Sequence, residues 1–233
     1  MVALLKRTSQ WRERRERYGL LLAAVLTAFA LQGIATPAPW EQVVVTALLA
    51  GTLLLALWAA DARDIVVRIS LVVGIALFLV SVVEALAGNV DVAATRLANL
   101  LLLCLAPPAV VLGIVRSLRA RGHVTVEAVF GVLCFYILLG MFFAGVYGSI
   151  ARLGPNHQFF ANGATATVAH CLYFSFITLT TVGYGDFTAA GNVGHTLSAT
   201  EALIGQIYLV TVVSVIVSNL RRGSVRDRSS SAT

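Results

Sequence analysis

Apolar runs follow one another along this chain, at residues 18–34, 41–60, 65–87, 92–115, 125–147 and 195–219. A helix crossing a hydrocarbon layer of about 30 Å needs about 20 apolar residues. Six such runs consume most of the 233 residues and leave no room for a soluble catalytic domain. Only 12% of the residues are charged, about half the share usual in soluble domains. The expected fold class is an all-α membrane protein with six transmembrane helices.

Lysine and arginine sort the connections into two sides. Lys6, Arg7, Arg12, Arg14, Arg15 and Arg17 precede the first run; Arg63, then Arg116, Arg119 and Arg121, then Arg221, Arg222, Arg226 and Arg228 fall in alternate later segments. The intervening TPAPWEQ and AGNVDV connections carry none, and residues 148–166 carry only Arg152. Cytoplasmic loops retain positive charge, so six spans place both termini in the cytoplasm and make the chain a multi-pass protein of the plasma membrane. The formal charge of +6 is then a topology signal and implies no nucleic-acid partner. The basic leader before LLLAAVLTAFAL also fits a signal peptide, but its length and the lack of a clean A-x-A site favour a retained first helix. WRERRERY can also lie along anionic lipid, at about 1 kcal/mol per basic residue; a topology signal is its simpler role.

A seventh helical pattern, 167–180, sits between the fifth and sixth runs. At 1.5 Å per residue it spans about 21 Å, too short to cross. It is expected to enter the membrane and turn back. The stretch TLTTVGYGDF follows, at 178–187. Its glycines permit conformations closed to other residues, and irregular backbone at membrane depth is tolerated only where protein buries it or it lines a watery path. A helix ending at Thr180 aims its negative dipole end at the membrane centre, where a cation is favoured.

Residues 178–186, TLTTVGYGD, resemble the signature of potassium channels, and the preceding CLYFSF resembles their pore helix. The resemblance covers about 124–220 and implies an outer helix, a re-entrant pore helix, an extended selectivity filter and an inner helix. It assigns the carbonyls of Thr181, Val182, Gly183 and Tyr184, with the Thr181 hydroxyl, to rings of oxygen ligands that replace the water shell of K+. Gly183 and Gly185 supply backbone freedom, and the Val182 and Tyr184 side chains point away toward the pore helix. Thr178, Thr180, Tyr173 and Phe174 support the filter, and Asp186 anchors its outer mouth. One chain brings one strand where a ring needs about four, so a homotetramer is implied. Potassium is the permeant ion, membrane lipid the surrounding partner, and no cofactor is called for.

In the last run, Gly205 stands where the family carries its hinge glycine, and either bending or close helix packing accounts for it. Gln206, Leu209, Val213 and Val217 share one helical face, assigned to the cavity or to ordinary packing. Glu201 either braces the back of the filter through hydrogen bonds or meets solvent and lipid.

The fourth run departs from a voltage sensor, which repeats basic residues at every third position. It has Arg96 alone, with Pro107 and Pro108 to break it. Arg96 is expected to pair with Glu84 or Asp91, and Arg68 to snorkel toward the cytoplasm. The resulting organisation is a basic cytoplasmic segment at 1–17, a four-helix transmembrane domain at 18–121, a pore domain at 122–222 and a short cytoplasmic tail at 223–233 whose composition suits disorder. The function this implies is passive, potassium-selective conduction that is not voltage-gated. A weakly selective cation channel and a non-conducting assembly subunit are the alternatives. An enzyme is not expected: His157, His170, Cys171 and His195 lack metal-ligand spacing, and Cys104, Cys134 and Cys171 are assigned to packing.

Overall fold

The computed structural model describes residues 2–34, 39–59, 64–86, 100–102, 104–105, 108, 110, 126–153 and 158–230. Within them, side chains are described except at 2–16, 39–42, 59, 64, 84–85, 126–128, 153, 213 and 216–230. Most of the expected fourth span, Arg96 and the partners proposed for it, and His157 therefore lie outside the described residues or side chains, as do the side chains of Val213 and Val217.

Six helices have described bounds, α1 (Val2–Ile34), α2 (Pro39–Ala59), α3 (Asp64–Leu86), α4 (Val126–Leu153), α5 (Val168–Leu179) and α6 (Gly191–Ser230), and the described residues between 100 and 110 are helical as well. Among the described residues, Arg17–Ile34, Ile65–Val83 and Val129–Arg152 are long and apolar enough to cross a membrane, and Val43–Trp58 and Val168–Leu179 are shorter apolar helices. Both polar flanks extend the helices they adjoin, the second of them where composition suited disorder. The basic leader forms one continuous helix with the first span, and α6 runs on through the polar tail to Ser230. Extending an existing helix adds a hydrogen bond for each residue fixed, so polar flanks propagate what they would not nucleate.

Packing proceeds outward from α4 and α5. The buried stripe of α1, Tyr18, Leu21, Val25, Ala28 and Gln32, has the three-and-four spacing that keeps one helix face against its neighbours. α1 contacts α2, α4 and α5, and α3 packs on α2. The α2–α3 seam uses small groups: Ser70 and Ser81 are buried, and Gly74 lies over Ala50. Helices in lipid gain little from burying apolar surface and associate through such close approach. The far side of α3 presents Ile65, Val72, Leu79 and Val83 outward, as a lipid-facing surface does.

The contact of α1 with α5 places the first span beside the half-length helix. Phe29 meets Phe176 with ring centroids 4.8 Å apart, and Gly33 faces Leu172. On its other side Phe176 lies on Gly140 of α4, where a Cβ would stand 2.7 Å from the ring. Glycine at 140 is what lets α5 sit this close.

Candidate functional site

The half-length helix has built-in stops at both ends. Thr167 caps its N-terminus, with Oγ1 accepting the His170 N–H at 3.1 Å. At 12 residues, α5 rises about 18 Å, and the expected bounds of 167–180 include the two caps. At the C-terminus four carbonyls lack helical partners and must find others. The Phe176 carbonyl accepts the Thr180 N–H and Oγ1 at 3.0 and 2.6 Å. The Ile177 carbonyl accepts the N–H groups of Val182 and Gly183 at 2.9 and 3.1 Å, and the Thr178 carbonyl that of Thr181 at 2.9 Å. The Leu179 carbonyl accepts the Tyr136 hydroxyl at 3.4 Å.

The pair of bonds from Thr181 to Thr178 and from Val182 to Ile177 is a Schellman ending, with Thr181 in the left-handed position. That position usually holds glycine, because a side chain there costs about 1–2 kcal/mol. Here a β-branched threonine occupies it, at φ 60°. Gly183 and Gly185 follow at φ 52° and 82°, with no positive φ at Val182 or Tyr184 between them. A backbone that changes hand at each residue gathers successive N–H groups on one side and leaves the carbonyls for the other. The N–H groups of 181–183 are spent on α5. Among the described residues none donates to the carbonyls of Thr181, Val182, Gly183 or Tyr184.

The side chains of Val182 and Tyr184 are 53% and 73% exposed on this single chain. The single chain leaves most of the Tyr184 ring uncovered. Thr178 is half-buried and Phe174 buried. The Phe174 ring packs edge-on to Tyr147, Phe159 and Phe160 at 5.2, 5.9 and 5.5 Å. Tyr173 packs against Phe187 at 5.8 Å, and its hydroxyl lies near the Asp186 carboxylate.

The returning chain is tied to the segment before α5. Ala161 N–H donates to the Thr188 carbonyl at 2.9 Å, and Ala190 N–H to that of Phe159 at 2.7 Å. Asn162 Nδ2 donates to the Asp186 carbonyl at 2.9 Å, while Asn162 Oδ1 accepts the Ala164 N–H at 3.0 Å. Sequence reasoning missed Asn162, Phe159 and Phe160, whose partners lie across a loop without a periodic pattern. His170 donates through Nδ1 to the Thr165 carbonyl at 2.8 Å and stacks near Phe187. Cys134 and Cys171 are buried, and Cys104 is exposed. Among the described residues, no three of His, Cys, Asp and Glu gather as a metal site.

α6 turns toward α4 and α5 a stripe that includes Glu201, Gly205 and Tyr208, at helical spacing. Glu201 is 0% exposed. Its Oε2 accepts the Tyr147 hydroxyl of α4 at 2.5 Å, and its Oε1 contacts Ser175 Oγ of α5. Ser175 Oγ also donates to the Gly140 carbonyl at 2.7 Å. At Gly205 a Cβ would run into the Leu179 carbonyl, so this glycine has a close-packing reason in the fold. Tyr208 donates to the Val132 carbonyl at 2.6 Å and stacks on Tyr136 at 5.6 Å. Gln206 and Leu209 lie outside this stripe and are exposed.

Together these features define a membrane-embedded helical protein whose half-length helix presents a strand of unspent carbonyls. Residues 135–222 match a family described as "Ion channel". The matched stretch runs from within α4 to within α6 and contains α5 and the strand, and it indicates an ion channel.

Proposed function

We propose that this chain is one subunit of a potassium-selective channel, a homotetramer that conducts K+ passively across the plasma membrane. Each chain crosses six times, with both termini cytoplasmic, and its first four spans form no voltage sensor. The observation that carries the reading is the backbone of 181–185, which alternates in the sign of φ while its first three amides are held from behind by α5. Carbonyls left on the opposite side are oriented before an ion arrives. Replacing a hydration shell demands that arrangement, since oxygens that had to reorganise would discriminate poorly.

Thr181 supports the same reading from energetics. A strained non-glycine residue persists where something beyond local stability keeps it, and threonine adds a hydroxyl to the first ring of ligands. The exposed Tyr184 and Val182 side chains support assembly, because neighbouring copies around an axis supply the cover that one chain lacks. The C-terminal dipole of α5, equivalent to about half an electron charge, adds attraction for a cation near Thr180.

Purified protein reconstituted in planar bilayers tests this directly. Under a K+ to Na+ gradient the reversal potential should follow the potassium equilibrium potential, and the current should show no steep voltage-dependent activation. A reversal potential near zero would instead identify a weakly selective cation channel, and no current at all an assembly subunit.

A further inference from the structure

We infer that Glu201 is a positioning residue that holds the pore helix as a neutral carboxylic acid, with its own proton completing the contact to Ser175. Three oxygen–oxygen contacts meet here: Tyr147 with Glu201 Oε2, Glu201 Oε1 with Ser175, and Ser175 with the Gly140 carbonyl. Each needs one hydrogen. Tyr147 supplies the first, and the Gly140 carbonyl can only accept, so it takes the Ser175 hydrogen. The remaining contact has a hydrogen only if Glu201 Oε1 carries it.

The surroundings agree with a neutral group. The side chain is fully buried, where an unpaired charge is costly and a hydrogen-bonded acid is not. Among the described residues, the other titratable groups facing this cluster are Tyr136 from α4 and Cys171 from α5, neither of them a cation. As an acid, Glu201 ties α4, α5 and α6 together one turn from Gly205, and so fixes the depth and rotation of the helix that carries the filter.

The functional arm rests on the channel reading; the protonation arm does not. Infrared spectra of the full-length protein in nanodiscs at neutral pH should contain a protonated-carboxyl C=O band that E201Q lacks. Tyr147→Phe, which removes the bond to the carbonyl oxygen, should move that band to higher frequency. In bilayers, E201Q can donate to Ser175 and accept from Tyr147, and should keep K+ over Na+ selectivity within about twofold, whereas Glu201→Leu should lose about tenfold or more. The inference is overturned if the wild type lacks the band, if E201Q retains it, or if glutamine is as damaging as leucine. A protein that shows the band but conducts no K+ overturns the channel reading and leaves the clamp standing.

Discussion

Replacing Gly205 by alanine separates two accounts of that glycine. An added methyl meets the Leu179 carbonyl oxygen and lies within 2.9 Å of Leu179 Cδ1. The carbonyl is backbone, held by the end of α5, and cannot rotate aside. Overpacking of this kind costs about 1–3 kcal/mol, while alanine recovers about 1 kcal/mol of helix propensity. The net effect is a destabilisation of about 0–2 kcal/mol. Gly51 in α2 is the matched control, since among the described residues nothing lies within 4 Å of its Cβ position and alanine there keeps only the propensity gain. The two variants should therefore differ by about 1–3 kcal/mol, a roughly 5- to 150-fold difference in folding equilibrium. Denaturant titration in mixed micelles measures it, and the reversal potential of Gly205→Ala should shift toward zero as Leu179 moves the adjoining strand. If Gly205→Ala is as stable as Gly51→Ala while only opening changes, the close-packing account fails and a hinge explains the residue.

Thr181→Gly relieves the left-handed strain and should leave stability unchanged or raised by up to about 1 kcal/mol, yet lower K+ selectivity through loss of the hydroxyl; lowered stability with intact selectivity would contradict the reading. Asn162→Ala removes the tie to the Asp186 carbonyl, a bond of about 0.5–1.5 kcal/mol, so amide exchange at 185–188 should quicken while that of α5 stays unchanged. A double-mutant cycle of Phe29→Ala with Phe176→Ala should return a coupling of about 0.5–1.5 kcal/mol, and zero coupling would mean that α1 does not brace α5.

The sequence by itself determined whatever depends on length and local conformation. Apolar runs of bilayer length set the all-helical membrane class, and the 12-residue α5 was legible because a helix too short to cross has to turn back. The glycines at 183 and 185 marked the backbone as special, since left-handed φ is cheap only for them. Thr181 gave no such signal, because its conformation is imposed by the Schellman bonds to α5.

Tertiary structure alone decided between the readings that sequence had left open. Glu201 could have faced lipid or protein, and its burial against Tyr147 and Ser175 follows from how three helices cross. The contact of Gly205 with Leu179, the hold of Asn162 on Asp186 and the seat of α1 on α5 are likewise pairings between residues far apart in the chain. Helical period tells which residues share a face, but the identity of the neighbour across that face is set by the packing of whole helices, where one methyl at a close crossing changes what fits.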